Sequence, residues 1–365
     1  MATPVAQAQS FSVLYDFTGQ KDGSDPFDGV IEDSAGNFYG TAVAGGEYDG
    51  GVVFQVTSAG TETVLYSFTG FDDGGVPFAP VLRDTAGDLY GTATTGGTKG
   101  FGVVFKVTKT GAETVLHSFA GGTKDGCSPY GGLVKAKSGN YYGTTIGCGA
   151  SGYGTVYEMS PSGKVKLLHS FALSDGAYPW FGNLLIDSAN NLYGVTSQGG
   201  ANNSGVVYKL TPSGTLTVLY SFAGGSTDGC YPFGTPVMDT AGNLYGTASE
   251  CGPSGLGILW KLSKTGTETI LHAFAGGTSD GGDPLAGVIR DSQGNLYGAT
   301  KTGGTSGEGT VYRFGQGQIT LLHSFSGSDG ASPYGGLSRD TSGDLHGTTW
   351  NLGTGCCGTL WSITP

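Results

Sequence analysis

The 365-residue sequence predicts an all-β fold, a seven-bladed β-propeller with four antiparallel strands per blade. Three observations predict it. The motif Leu-[Tyr/His]-x-Phe begins at Leu14, Leu65, Leu116, Leu168, Leu219, Leu271 and Leu322, so one unit of 51 or 52 residues recurs seven times and fills the chain. Within each unit, β-branched and aromatic residues run in short stretches bounded by Gly, Asn and Asp, and helical periodicity is absent. The chain also opens on the outermost type of strand, Ser12–Phe17, and closes on the third type, Gly358–Ile363. The N-terminal strand should therefore complete the last blade, a 3+1 closure that leaves no free sheet edge at the seam.

Each unit reads in the same order. Asp-Gly-x-x-Pro leads into the innermost strand, and an Asp-[Ser/Thr]-x-Gly-Asn turn opens the second strand, Leu-Tyr-Gly-Thr. A Gly-Gly loop then precedes the third strand, and a last turn precedes the outermost one. In the second unit the strands are predicted at Phe78–Arg83, Asp88–Ala93, Gly102–Val107 and Thr114–Phe119. Val52-Val53-Phe54 and Val103-Val104-Phe105 are apolar at consecutive positions, as expected of strands covered on both faces by neighbouring blades. Gly29, Gly131, Gly132, Gly287, Gly335 and Gly336 fall in the innermost strand, where seven strands converge and side chains find little room. Trp260 and Trp361 occupy the third-strand slot of Phe54, Phe105, Tyr157, Tyr208 and Tyr312, and are predicted to be core.

Composition excludes several functions. Glycine numbers 71, yet 37% hydrophobic and 11% aromatic content is enough for a packed core. A net charge of −12, from 17 basic and 29 acidic residues, gives no footprint for nucleic acid, and no apolar run is long enough to span a membrane. Residues 1–10, with Ala6 and Ala8 spaced as at the end of a secretion signal, read as a signal-peptide remnant or leading tail. Residues 11–365 read as one propeller domain, expected to be monomeric.

The segments Gly242–Thr247, Gly-Asn-Leu-Tyr-Gly-Thr, and Gly255–Leu262 resemble the GloVer-type tandem repeat of bacterial extracellular proteins, and the likeness extends over residues 11–364. The Gly-Gly pairs are similar, more loosely, to kelch repeats. The resemblance implies a propeller exported from a bacterial cell, either secreted, at the cell surface or periplasmic.

Cysteine spacing agrees. Cys127 and Cys148 stand 21 residues apart in the third unit, and Cys230 and Cys251 stand 21 apart in the fifth, at equivalent positions. Each is read as a disulfide worth ~3 kcal/mol on the chain-entropy account, formed in an oxidising compartment. Adjacent Cys356 and Cys357 allow a vicinal disulfide, free thiols or pairing between molecules.

The disulfides fall on the face whose loops vary among units, and a binding surface is expected there. An aromatic residue usually follows the Pro of Asp-Gly-x-x-Pro, as in Phe27, Phe78, Tyr130, Trp180, Phe233 and Tyr334, with Leu285 in the sixth unit. These side chains should gather at the mouth of the central channel, as a plug or as a stacking platform for sugar rings. Trp180 is the leading ligand candidate because its unit has one extra residue, consistent with a bulge carrying Phe181 and Asn183. Tyr130, Tyr334 and Trp350, which departs from the repeat, join it. Arg83, Arg290 and Arg339 share an inner-strand position with Lys135. They either face the channel and attract an anion such as a uronic acid, or pair with nearby aspartates. Most carboxylates recur at repeat positions, but Asp25, Asp28, Glu47 and Asp49 map to the variable face of the first unit. They read as a solvated rim, a calcium site, calcium being the one cofactor considered, or a catalytic glycosidase pair. His117, His169, His272 and His323 fill a slot that is otherwise Tyr, and His346 replaces a repeat tyrosine, so a structural role is expected and a zinc site has little support.

The function expected from these features is a secreted, non-catalytic recognition module for extracellular polysaccharide or a cell-surface partner. The alternatives are a glycoside hydrolase or polysaccharide lyase acting at the channel mouth, and a protein-interaction or adhesion platform.

Overall fold

Seven four-stranded antiparallel sheets surround one axis in the computed structural model, which describes residues 9–181 and 183–365. Most of the expected secretion remnant lies outside the described residues. Blade 1 comprises Ile31–Glu32, Phe38–Ala42, Val52–Val56 and Glu62–Ser67, and blade 2 comprises Leu82–Arg83, Leu89–Ala93, Val103–Val107 and Glu113–Ser118. Blades 3 to 6 repeat this order. Blade 7 combines Ser338–Arg339, Leu345–Thr349 and Thr359–Thr364 with the N-terminal strand Ser10–Asp16, which pairs antiparallel along Thr359–Thr364. The predicted closure is present.

The repeat motif has a physical reading in this register. Between the third and fourth strands every blade carries a β-bulge, as where Val53 pairs with Tyr66 and Phe54 with Val64. The residue left over is Leu65, the leucine of the Leu-[Tyr/His]-x-Phe motif, and the bulge bends and twists the outer strand. The glycine of Leu-Tyr-Gly-Thr has a steric cause. A Cβ at Gly91 would lie 2.5 Å from the Phe105 ring, and one at Gly246 would lie 2.4 Å from Trp260. The third-strand aromatic therefore lies over bare backbone, and Trp260 and Trp361 are 1% and 0% exposed, core as predicted. Hydrophobic clusters form between blades: Tyr39 and Val53 of blade 1 pack with Val103 and Phe105 of blade 2.

The innermost strands are shorter than predicted, two residues at Leu82–Arg83 against an expected six from Phe78. Near the axis their polar groups turn to the adjacent blade. Thr41, Thr92, Thr144, Thr247 and Thr348 of the second strands donate hydroxyl hydrogen bonds to Ala79, Gly131, Pro179, Ala286 and Asp28 carbonyls of the next blade, at 2.6–3.5 Å. Blades 4 and 6 carry Val195 and Ala299 at this position and lack the clasp. Crowding at the axis explains the glycines: a Cβ at Gly29 would lie 2.1 Å from the Gly336 carbonyl, and one at Gly287 2.3 Å from that of Thr235.

Candidate functional site

The first and third turns of the blades lie on one face; most first turns are closed on an aspartate, as where Asp33 Oδ1 accepts from the Ala35 and Asn37 amides, and third turns on a threonine or serine hydroxyl, as where Thr57 Oγ1 accepts from the Thr61 amide. The opposite face carries the variable loops and all three disulfides, Cys127–Cys148, Cys230–Cys251 and Cys356–Cys357. Cys127 and Cys148 belong to a two-residue ribbon, Gly126–Cys127 against Gly147–Cys148, and Cys230 and Cys251 to its counterpart in blade 5.

At the centre of this face the aromatic side chains form a continuous cluster. Phe27 contacts Phe78, Phe181, Tyr334 and Trp350 with ring centroids 4.5–5.7 Å apart. Phe181, the extra residue of blade 4, reaches Tyr130, Trp180 and Phe233 at 5.2–6.0 Å. The insertion thus supplies the middle of a plug. Trp350 packs at the edge of Tyr334, 4.6 Å away, with the Lys301 ammonium over the other ring.

Beneath the plug an axial cavity of about 310 Å³ is lined by Asp28, Asn183, Thr235, Leu285, Tyr334 and Ser338, among others. Asp28 Oδ1 accepts hydrogen bonds from the Gly29 and Gly336 amides at 2.7 and 2.9 Å. Burial pushes its carboxyl above the ordinary carboxylate range, against those two bonds. Asn183 Oδ1 and Ser338 Oγ are buried without a protein partner, so the cavity offers unmet polar groups.

Trp180 lies at the edge of the plug and continues into a second feature, an open groove of about 510 Å³ over blades 3 to 5. Its walls are Tyr178, Trp180, Tyr231 and Phe233, with Ser128, Ser197, Gln198 and Glu250 supplying polar groups. Gly147 and Glu250, each adjacent to a disulfide cysteine, put one bridge at each flank. Tyr178 and Tyr231 occupy the residue before the repeat proline, where φ is positive in all seven blades, including Asp25, Val76, Ser128, Asp283 and Ser332. A bulky residue in the left-handed region is costly, and the backbone holds both rings in place. Tyr178, Tyr231, Gln198 and Glu250 are not evident from sequence reasoning. The available signal is that only units 4 and 5 place tyrosine before this proline.

The other nominated residues are dispersed. Asp28 faces the axial cavity, whereas Asp25 does not line it; burial raises the Asp25 carboxyl and Ser24 donates it a hydrogen bond. Glu47 and Asp49 are exposed on the blade 1 loop, and Asp49 accepts a bond from the Gly45 amide that shapes that loop. The four do not converge on one point. Arg83 lies over Tyr39, 5.0 Å from its ring, and 3.6 Å from Asp33, so it pairs with an aspartate. Arg339 lies over Tyr297. Neither lines the axial cavity. His117, His169, His272 and His323 each reach the aspartate of an Asp-Gly element at 2.8–3.3 Å, as Tyr15, Tyr66 and Tyr220 do through their hydroxyls. Their structural role is as expected.

Comparison with known proteins supports the repeat and the fold. The profile of the Gloeobacter/Verrucomicrobia repeat matches residues 3–184 and 149–361. No curated protein matches the chain. Among solved structures, the chain is similar to the extracellular domain of BT4673 from B. thetaiotaomicron, assigned to the hybrid two component systems. That match has a TM-score of 0.61 and 12% identity, over 96% of this chain and 39% of that one. The extracellular domain of BT3049 from the same organism, of the same assignment, gives a TM-score of 0.56 and 11% identity, over 97% and 41%. The chain thus spans about two-fifths of the length of these proteins, and the likeness is one of fold.

Proposed function

The chain belongs to the Gloeobacter/Verrucomicrobia repeat family, and on that premise we propose that it is a secreted, non-catalytic recognition module that binds extracellular polysaccharide in the groove over blades 3 to 5. The observation that carries the reading is the make-up of that groove, in which four aromatic walls alternate with hydroxyl, amide and carboxylate groups. Aromatic faces suit the apolar faces of pyranose rings, and a few placed polar groups suit their hydroxyls. An open groove admits a chain, whereas the axial cavity is capped by the aromatic plug. Two inter-strand disulfides at its flanks favour an oxidising compartment and an address outside the cytoplasm. The shared fold with extracellular propeller domains is compatible with that address.

The test is a glycan array followed by calorimetry with the best glycan. Trp180→Ala is expected to weaken binding at least about tenfold, ~1.4 kcal/mol, with little change in melting temperature. A large loss of stability without loss of affinity would return Trp180 to the core. New reducing ends or unsaturated sugars after incubation with a polysaccharide panel would replace binding with cleavage. A blank array beside a positive protein pull-down would favour an adhesion platform.

A further inference from the structure

The ring-closure seam on the short-turn face departs from the repeat at two positions at once. Six blades place a tyrosine in the second strand, and in five of them its hydroxyl donates to the Oδ2 of the first-turn aspartate at 2.9–3.1 Å: Tyr39, Tyr90, Tyr193, Tyr245 and Tyr297. Blade 7 has His346 there. The inner strand of the following blade offers Arg83, Lys135, Arg290 or Arg339 at four junctions, and Arg83 shows the use of that slot by stacking on Tyr39 and reaching Asp33. At the junction from blade 7 to blade 1 the slot holds Glu32 instead.

The double exchange leaves a buried polar group with nothing to bond. The His346 side chain is 6% exposed, and neither ring nitrogen has a hydrogen-bond partner. Its Nε2 is 3.9 Å from Glu32 Oε2 and 3.9 Å from Asp340 Oδ2. Asp340 spends Oδ1 on the Gly343 and Asp344 amides, at 2.7 and 2.8 Å, so Oδ2 is left facing the imidazole. Asp33 and Asp344 add negative charge around Glu32, and no lysine or arginine pairs with Glu32 or Asp340 among the described residues. Arg339, the nearest in sequence, is turned onto Tyr297 of blade 6. One nitrogen and two carboxylate oxygens lie within 4.8 Å of one another, the only such grouping of three among the described residues.

We propose that Glu32, Asp340 and His346 form a zinc-type divalent metal site that ties blade 7 to blade 1. An imidazole nitrogen with two carboxylates is a donor set that Zn²⁺ takes readily, whereas Ca²⁺ and Mg²⁺ prefer oxygen alone. Ligand atoms around tetrahedral zinc stand ~3.4 Å apart, given bonds of ~2.1 Å. The imidazole-to-carboxylate separations of 3.9 Å therefore need to close by about half an ångström, and the two carboxylate oxygens, within 4.8 Å of each other, by up to about 1.4 Å, which the cation's attraction for two carboxylates favours. Water completes the coordination. Because the ligands come from the first and last blades, the ion acts as a clasp on the ring.

The test uses the intact protein, ZnCl₂ and calorimetry, with metal content measured by mass spectrometry after dialysis. One Zn²⁺ per chain is expected, with weak or no response to Ca²⁺ and Mg²⁺. His346→Tyr restores the residue of the other six blades and should fold while losing at least about a hundredfold in affinity. Glu32→Gln, which keeps the histidine, should lose at least about tenfold. At a hundredfold excess over Kd, Zn²⁺ should raise the wild-type melting temperature by about 3 °C and leave that of His346→Tyr unmoved. Failure of the wild type to bind one Zn²⁺ more tightly than about 10 µM, or unchanged binding in His346→Tyr, overturns the assignment.

Discussion

Replacing Glu62, Glu113 and Glu268 together with glutamine should stabilise the protein at pH 8 and leave its stability at pH 4 unchanged. These glutamates open the outermost strands of blades 1, 2 and 5, and each has Oε1 buried without a partner. Burial, with the charges of Asp22, Asp73 and Asp228 nearby, raises each carboxyl from 4.5 to about 7. The folded state therefore holds these protons more tightly than the unfolded chain. Their contribution to stability is full below pH 4.5 and declines as pH rises towards 7, where the folded protein carries three ill-placed anions. The whole displacement would amount to about 3.4 kcal/mol per carboxyl. Each side chain is only half buried, and solvent screening reduces this to ~1 kcal/mol. Glutamine mimics the protonated acid. The triple variant should then gain ~3 kcal/mol at pH 8, about 4 °C in melting temperature for a chain of this length. Thermal melts at pH 4 and pH 8 check it. An equal gain at both pH values, or a gain only at pH 4, would refute the buried-acid reasoning.

Two further outcomes follow from the same geometry. Cys230→Ser with Cys251→Ser opens a loop of 21 residues and should cost ~3 kcal/mol. It should also weaken glycan binding by loosening Tyr231 and Glu250, and parallel melts and titrations read both. Thr92→Val removes the donor that caps the Gly131 carbonyl between blades 2 and 3, and should cost ~1–2 kcal/mol in denaturant unfolding.

The blade count, the closure and the strand types were legible because a unit repeated seven times reports its own alignment. The length of the innermost strands was not. Phe78–Val81 has the composition of a strand, but its carbonyls near the axis serve the hydroxyl of Thr41 in the neighbouring blade rather than a ladder. Trp180 could be singled out because the extra residue in its unit disturbs the register. For its partners Tyr178 and Tyr231 the one trace is a tyrosine before the repeat proline in units 4 and 5, and for Glu250 there is none, since the groove assembles from three consecutive units and no spacing within one unit encodes it. Asp28 was read with the surface carboxylates of its loop, although it sits one residue inside the plug aromatic Phe27 and faces the axis. The replacement of tyrosine by His346 was visible in sequence. Its meeting with Glu32, more than three hundred residues away, exists only once the ring has closed.

The pairing of Ser10 with Thr364 has a practical consequence. The start of the Ser10–Asp16 strand and the end of the Thr359–Thr364 strand lie side by side towards the outer rim, on the side where third strands run into their last turn, opposite the groove. A tether attached at Ser10 or at Thr364 would hold the propeller with its aromatic surface turned to solution, so sensor-chip measurements through either point should agree. A brief linker from Thr364 to Ser10, with the chain opened at a short turn of another blade, should yield circular permutants that keep every sheet.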